Sequence, residues 1–142
     1  MIATNKIGFM ILALLLMVGA AQAAMLTVAV SNCESDQGCV SVALYNPDTR
    51  QNFASGRGYY QGQQANIANG TAQVVFSDIP DGKYAVAAFH DLDCSGTIKK
   101  NFWGIPQEMY GFSNNYGKSP DFDLARFSVS GDTKISIRLQ WY

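Results

Sequence analysis

The residues with the clearest chemical pattern lie in an acidic segment that begins at Asp91. Asp91, Asp93 and Ser95 are spaced two residues apart and are followed by Gly96, as in the first half of a calcium-binding loop. Oxygen ligands at this spacing converge on one cation as the chain curls, and the glycine permits the sharp turn. The backbone carbonyl of Thr97 would supply the next ligand. The pattern predicts a candidate Ca²⁺ site at Asp91, Asp93, Ser95 and Thr97.

The second half of such a loop departs from the calcium pattern. Lys99 stands at position nine and Phe102 at position twelve, where a bidentate Glu is expected. Lys99 and Lys100 also repel a cation. Further carboxylates must come from elsewhere, and those available are Glu108, Asp121 and Asp123. A polar turn that caps the end of a strand therefore remains open as the alternative to a metal site.

His90, the only histidine, precedes Asp91 and raises an enzyme as the alternative function. In that hypothesis, a hydrolase would use His90, Asp91 and Glu108 for acid–base chemistry. Neighbouring residues of a strand point to opposite faces, so His90 and Asp91 do not form a dyad by adjacency alone. The sequence contains neither a nucleophile elbow nor a phosphate-binding loop. A binding or structural protein is therefore preferred over an enzyme.

The long segment 90–122 is also rich in aromatic residues. These are Phe102, Trp103, Tyr110, Phe112, Tyr116 and Phe122. They can form either an exposed platform that stacks on a sugar or peptide, or a small core within the loop itself. We expect most of them to be buried, with Tyr110 and Tyr116 exposed because they stand beside glycine and asparagine.

Apolar residues alternate with a period of two over much of the remaining chain, as in half-buried strands. The alternation is clearest at 26–32, 40–45 and 133–141. Segment 84–90 is apolar on both parities, so we expect one face in the core and the other under the long loop. The predicted fold is all-β: an antiparallel β-sandwich of about seven strands with one long ordered loop, 90–122.

Turn residues predict three hairpins, around 36–38, Asn69-Gly70 and Gly131-Asp132. Cys33 and Cys39 flank the first turn, and we expect a disulfide that staples this hairpin. Two separate thiols are the alternative. Cys94 is then a free thiol, an intermolecular partner, or another partner for either of the first two cysteines.

The N-terminus has the pattern of a secretory signal peptide. Lys6 precedes an apolar run, Ile7–Val18, and Ala21-Gln22-Ala23 is a small-x-small cleavage site. The run is shorter than the ~20 residues that a spanning helix needs, and a retained anchor is the alternative. We expect removal of 1–23 and a single domain, 24–142, that does not span the membrane and is periplasmic or secreted.

Charge limits the expected partners. The net charge is −1, and the basic residues are scattered singly apart from Lys99-Lys100. Nucleic-acid and anionic-membrane binders usually concentrate positive charge on one surface. The sequence therefore predicts no nucleic-acid partner and offers no reason to expect an anionic membrane.

Three stretches carry a family resemblance: FSDIPDGKYAVAAFHD, GIPQEMYGFSNN and SPDFDLARFSV. They resemble the bacterial family known as Domain of Unknown Function 2141, and the resemblance extends over essentially the whole mature chain. It implies an exported bacterial β-sandwich, similar in its Pro-x-Gly-x-Tyr turn to transthyretin-like domains. It implies no activity.

The resemblance also implies which positions matter. Together with the loop aromatics, the shared positions give the candidate binding residues His90, Glu108, Tyr110, Ser113, Asn114 and Tyr116. The ligand, whether protein, peptide or glycan, stays open. The chain has Ser95 where the family usually has Asn and Lys99 where it usually has Asp, and the lysine weakens the calcium hypothesis.

Overall fold

The computed structural model of the protein describes residues 23–142. Within this part, the chain forms eight short strands, two 3₁₀ helices and one four-residue α-helix. The strands are β1 (Ala24–Ser31), β2 (Cys39–Tyr45), β3 (Gln61–Asn66), β4 (Ala72–Ile79), β5 (Gly82–Asp91), β6 (Tyr110–Phe112), β7 (Phe127–Val129) and β8 (Thr133–Arg138). The 3₁₀ helices are Pro47–Asn52 and Ser113–Asn115, and α1 is Phe122–Ala125.

The strands form two sheets. The three-stranded sheet has the order β4-β1-β8, and the five-stranded sheet has the order β3-β2-β5-β6, with β7 pairing with the other end of β5. The all-β sandwich predicted from the sequence is confirmed. Every named pair is antiparallel except β1–β8, which is parallel, with Leu26 opposite Thr133. The N–H of Met25 donates to the Asp132 carboxylate at 2.9 Å and anchors the start of this parallel pair.

All three predicted turns occur, but none of them joins two paired strands. β1 and β2, β3 and β4, and β7 and β8 each lie in different sheets. Asn69 and Gly70 do adopt positive φ, yet only Ala68 and Thr71 pair beside them. The predicted hairpins are therefore wrong, because each turn carries the chain from one layer of the sandwich to the other.

The main core lies between the two sheets. Leu26 and Val28 of β1 face Val40 and Leu44 of β2, all with no exposed surface. In β5, Tyr84, Val86 and Ala88 belong to this core, whereas Ala85 and Ala87 belong to a second cluster on the outer face. The strand is covered on both faces, as its composition predicts.

The second cluster covers part of the outer face of the five-stranded sheet. Its aromatic members are Tyr45, Phe53, Phe112 and Phe122. Phe53 meets Tyr45 edge-on, with ring centroids 5.3 Å apart. Phe112 and Phe122 come from the long loop, so that loop packs over β5 as expected.

The disulfide joins Cys39 to Cys94, so the predicted Cys33–Cys39 bridge is wrong. The β2–β5 register explains the pairing, because Cys39 lies opposite Asp91. Cys94 follows three residues later, and its Cα lies 5.6 Å from that of Cys39. Cys33 follows β1 in the other sheet and keeps a free thiol. Partial burial raises the pKa of this thiol.

The predicted signal peptide lies outside the described residues, apart from its last residue at position 23. β1 begins at Ala24, where the mature chain is predicted to start. No helix within 23–142 is both long and apolar enough to cross a membrane.

Candidate functional site

The acidic segment begins with a buried carboxylate at the end of β5. Asp91 has no exposed surface. Its Oδ2 accepts hydrogen bonds from the Ser41 hydroxyl at 2.8 Å and the Gly96 N–H at 2.7 Å. Its Oδ1 accepts the Ser95 N–H at 3.1 Å. Asp91 therefore holds the turn that follows it, and of these three donors only Ser41 was not singled out from the sequence.

Glu108 holds the two ends of the same loop together. It is 2% exposed, and its carboxylate accepts the N–H of Leu92 at 2.8 Å and the N–H of Lys99 at 2.7 Å. Backbone N–H donors of this kind stabilise the charged form of a buried carboxylate. Glu108 is thus a structural partner of the acidic turn rather than an exposed ligand-binding group.

Asp93 lies on the exposed side of the turn and forms an ion pair with Lys99. The Lys99 ammonium lies 3.1 Å from Asp93 Oδ2. Mainly because of Lys99, and secondarily because of the Ser95 hydroxyl, the pKa of Asp93 is lowered from 3.8 to about 2. The Lys99 ammonium therefore already supplies a positive charge beside this carboxylate.

The structure brings Asp91, Asp93 and Glu108 together, with one carboxylate oxygen from each within 4.8 Å of the others. Hard oxygen donors of this kind suit Ca²⁺. However, hydrogen bonds occupy the Asp91 and Glu108 carboxylates, and the Ser95 hydroxyl donates to the Thr97 carbonyl at 3.0 Å. The predicted set is therefore changed: Glu108 joins the two aspartates, while Ser95 and Thr97 bond to each other.

His90 does not face the acidic turn. It is 2% exposed, and its Nε2 lies 2.7 Å from the carbonyl oxygen of Gln37. The hydrolase hypothesis requires His90 and a carboxylate to converge at an open cleft. Because His90, Asp91 and Glu108 are all buried in separate hydrogen-bond arrangements, their geometry does not support the hydrolase hypothesis.

Ser113 and Asn114 support the fold around α1. The buried Ser113 hydroxyl accepts the Val86 N–H at 2.9 Å and donates to the Ala125 carbonyl at 2.6 Å. The Asn114 amide donates to two carbonyls, those of Leu124 and Arg126. Asn114 has a φ of 67°, a conformation that asparagine tolerates better than most residues. Both side chains are therefore fully used within the protein.

The exposure of the aromatic residues differs from the prediction. Tyr110 and Tyr116 are only partly exposed, and their hydroxyls donate to the Lys118 and Ser119 carbonyls. Phe102 and Trp103 are instead 93% and 80% exposed. Four of the six rings are buried or half-buried, in line with the expectation that most are. The exposed pair is Phe102 and Trp103 rather than Tyr110 and Tyr116, because Phe102 and Trp103 form the tip of a short hairpin.

A groove that the sequence did not predict lies on the outer face of the five-stranded sheet. It consists of two adjoining cavities of about 290 and 260 Å³, which share Ala54, Ala87 and Phe89. Tyr59 forms a wall of the first cavity and lies over Gly62, where a Cβ atom would approach the ring to 2.8 Å. The floor of the groove is therefore open because the sheet residues beneath it are small; larger side chains would fill it.

The two cavities differ in charge. No charged residue lines the first cavity, whereas Lys100 and Lys118 line the second without an acidic residue. Of the predicted binding residues, only Tyr110 lines the groove. The groove therefore has one neutral end and one basic end.

Tyr45 contributes a buried polar group to the first cavity. Its side chain has no exposed surface, and its hydroxyl has no hydrogen-bond partner among the described residues. Burial is the main cause that raises the pKa of Tyr45, while the nearby backbone amides of Gly56 and Ala54 lower it. A buried hydroxyl without a partner is unfavourable. A polar atom that reached this hydroxyl would therefore relieve an unfavourable buried group.

Fold and site together describe a β-sandwich module with a hydrogen-bonded acidic turn and an open groove on one sheet. The chain belongs to the family described as uncharacterized protein conserved in bacteria (DUF2141), whose family model matches residues 28–137. Neither the comparison with curated proteins nor that with solved structures found a match.

Proposed function

We propose that the protein is an exported, non-enzymatic binding module, periplasmic or secreted, and that its ligand lies in the groove of the five-stranded sheet. The unpartnered hydroxyl of the buried Tyr45, in the wall of the first cavity, carries this proposal. A ligand that donates to or accepts from this hydroxyl would remove an unfavourable buried group. The Cys39–Cys94 disulfide supports export, because such bonds persist mainly in oxidising compartments.

The lining of the groove indicates the class of ligand. Ala43, Ala54 and Ala87 offer an apolar floor, while Tyr59 and Gln63 offer a ring and an amide. Pockets of this size with a few polar groups suit small molecules and short segments of polymers. With the basic second cavity, the groove favours an elongated ligand with a neutral body and a negatively charged end. A peptide with a free carboxyl terminus and an acidic oligosaccharide both meet this description.

Matched pairs of probes test the proposal. A short apolar peptide with a free carboxyl terminus is compared with its amidated form, and an acidic oligosaccharide with a neutral one, by NMR titration of the ¹⁵N-labelled protein. We expect one charged member to bind more tightly than its neutral partner and to shift the amides of Gln63, Gln64 and Ala87. An absence of shifts around the groove with all four probes would argue against the proposal.

Two variants connect binding to the groove. Ala87→Leu fills the floor shared by both cavities and should abolish the shifts, whereas Ala29→Leu makes the same change on the other sheet and should not. Tyr45→Phe removes only the hydroxyl and should weaken binding without lowering the free energy of unfolding, because that hydroxyl has no partner. Equal binding by Ala87→Leu and the unchanged protein would place the ligand elsewhere.

A second candidate role, binding of Ca²⁺ by the loop, is favoured by the proximity of Asp91, Asp93 and Glu108. Thermal unfolding in EDTA and in millimolar Ca²⁺ tests it. A Ca²⁺-dependent rise in Tm that Asp93→Ala abolishes would support a metal-ordered loop. The same Tm in both buffers, with a rise that appears only in Lys99→Asp, would mean that the Lys99 ammonium serves in place of a cation.

A further inference from the structure

The hairpin 99–107 extends from the sandwich and is closed by its own hydrogen bonds. Lys100 and Pro106 pair across it, and the N–H of Gln107 donates to the Lys99 carbonyl at 2.7 Å. Its tip consists of Phe102, Trp103, Gly104 and Ile105, which we call the aromatic tip. Gly104 has a φ of 77°, which closes the turn.

The aromatic tip exposes a large apolar surface. Phe102 is 93% exposed, Trp103 is 80% exposed and Ile105 is 49% exposed. The two rings meet edge-on, with centroids 5.3 Å apart and planes at 85°. They therefore form a wedge rather than a flat platform, and a flat platform is what stacking on a sugar ring requires. Contiguous exposed apolar groups on a rigid support usually indicate an interaction site.

Three of the four backbone N–H groups of the aromatic tip, those of Trp103, Gly104 and Ile105, have acceptors within the hairpin. The Asn101 side chain accepts the N–H groups of Trp103 and Ile105 at 2.9 and 3.0 Å. The Asn101 carbonyl accepts the N–H of Gly104, and the Asn101 N–H donates to the Ile105 carbonyl. Pro106 has no N–H. Few backbone N–H groups of the tip would therefore lose a water partner if the tip left bulk water.

The hairpin 99–107 itself carries only positive charges, those of Lys99, which pairs with Asp93, and of Lys100. No acidic residue occurs between Cys94 and Gln107, although the whole chain has a net charge of −1. Lys100 is exposed at the base of the hairpin, and Lys118 lines the same cavity as Gly104 and Lys100. Folding therefore concentrates positive charge beside the aromatic tip, which the scattered basic residues of the sequence did not indicate.

We propose that the aromatic tip inserts into the interfacial region of an anionic lipid bilayer, with Lys100 and Lys118 contacting the headgroups. Tryptophan and phenylalanine favour the boundary between headgroups and acyl chains, and basic residues add attraction to anionic lipid. The two lysines beside the apolar wedge favour an anionic bilayer over an uncharged surface of a protein partner. The rings of Phe102 and Trp103 lie outside the lining of the proposed ligand groove, whereas Lys100 and Lys118 line its second cavity and take part in both roles.

Vesicle flotation tests the inference with the full chain, expressed with its own N-terminus and purified from the exported fraction. Mass spectrometry establishes the N-terminal residue, so that every variant is compared with the same end. The vesicles contain either phosphatidylcholine alone or phosphatidylcholine with phosphatidylglycerol. We expect binding to the anionic vesicles that falls at high salt and is much weaker on the neutral ones.

Variants locate the contact. Phe102→Ser with Trp103→Ser should weaken partitioning about tenfold or more, since burial of a single large aromatic side chain contributes at least that factor. Lys100→Gln and Lys118→Gln should each weaken it about fivefold. Leu124→Ser changes an equally apolar residue, 57% exposed, and should leave partitioning unchanged.

Fluorescence reports the insertion directly. In a Trp141→Phe background, Trp103 is the only tryptophan and its emission should shift to shorter wavelength on anionic vesicles. Failure of the unchanged protein to bind either vesicle would overturn the inference, as would equal binding by the double serine variant. Self-association that needs Phe102 and Trp103 without vesicle binding would also overturn it and identify a protein contact instead. Retention of groove ligands by the double serine variant would separate this role from the proposed function.

Discussion

At the scale of single residues, the hydroxyl of Ser113 connects β5 with α1. It accepts the Val86 N–H and donates to the Ala125 carbonyl, and Ser113 has no exposed surface. Ser113→Ala leaves a buried donor and a buried acceptor without this partner, so we expect a loss of about 1–3 kcal/mol in the free energy of unfolding. Urea denaturation measures it, with Ser130→Ala at an exposed position as control. A change as small as that of the control would contradict the assigned role.

The ion pair between Asp93 and Lys99 predicts a pH dependence. The folded pKa of Asp93 is lowered from 3.8 to about 2, so its ionised form stabilises the folded state above pH 3.8 and this contribution disappears as the pH falls to about 2. The stability difference between the unchanged protein and Asp93→Asn should therefore be constant near neutrality and fade through this acid range. Because the pair is exposed, the difference should be small. Denaturation curves at several pH values test it, and a difference that persists at pH 2 would exclude the ion pair as its cause.

At the scale of elements, the Cys39–Cys94 disulfide ties the acidic turn to β2. The bridge spans 55 residues of sequence, and the chain-entropy treatment gives a stabilisation of about 4 kcal/mol for such a loop. Cys94→Ser should therefore lower stability strongly, whereas Cys33→Ser should lower it little. Thiol titration of the denatured, unreduced protein should find only the Cys33 thiol. Three reactive thiols in the exported protein would show that the bridge is absent.

Tyr84 tests the role of β5 in both the main core and the turn before it. Its ring is 5% exposed, and its hydroxyl donates to the Pro80 carbonyl at 2.7 Å. Tyr84→Ala should cost roughly 3–5 kcal/mol, as other large aromatic truncations do. Tyr84→Phe keeps the ring and should cost only about 0.5–1.5 kcal/mol. Similar losses in the two variants would mean that the hydroxyl, not the ring, dominates.

The sequence predicted where the strands and turns lie better than it predicted which strands and cysteines pair. The alternation in β1 follows directly from burial of one face, so that strand could be found from period alone, whereas β2 is buried on both faces. The turn at Asn69-Gly70 has the same local chemistry whether its strands pair or separate into two sheets. The partner of Cys39 depends on the β2–β5 register, which is a long-range property. Spacing along the chain therefore could not identify the disulfide.

The same limit applies to the candidate site. The carboxylates of Asp91 and Asp93 could be selected from their spacing, but Ser41 and Gln64 join them only through strand pairing. Nothing in the sequence distinguishes the aromatic residues of the loop that are buried from those that are exposed. Phe112 is buried because β6 pairs with β5, whereas Phe102 is exposed because its hairpin extends past the sheet. Exposure here follows from tertiary position, which no local pattern contains.

At the scale of the whole molecule, β1, the central strand of the three-stranded sheet, depends on its pairing with β8 near the C-terminus. β1 lies between β4 and β8, and the Asn32 amide donates to the Leu139 carbonyl at 2.7 Å. A chain that ends at Asp132 lacks β8 and should remain protease-sensitive, with no cooperative thermal transition. A chain that lacks only Trp141 and Tyr142 should fold. Cooperative unfolding of the shorter chain would show that β8 is dispensable.

The parallel β1–β8 pair has a consequence for the time course of folding. Strands so far apart in sequence pair slowly, because the closure entropy of the intervening chain must be overcome first. β1 can pair with β4 earlier, but the three-stranded sheet, and with it the sandwich, is complete only after β8 has been made. For a protein exported as we propose, this delay keeps the polypeptide unfolded and able to thread through a translocation channel until its final residues arrive.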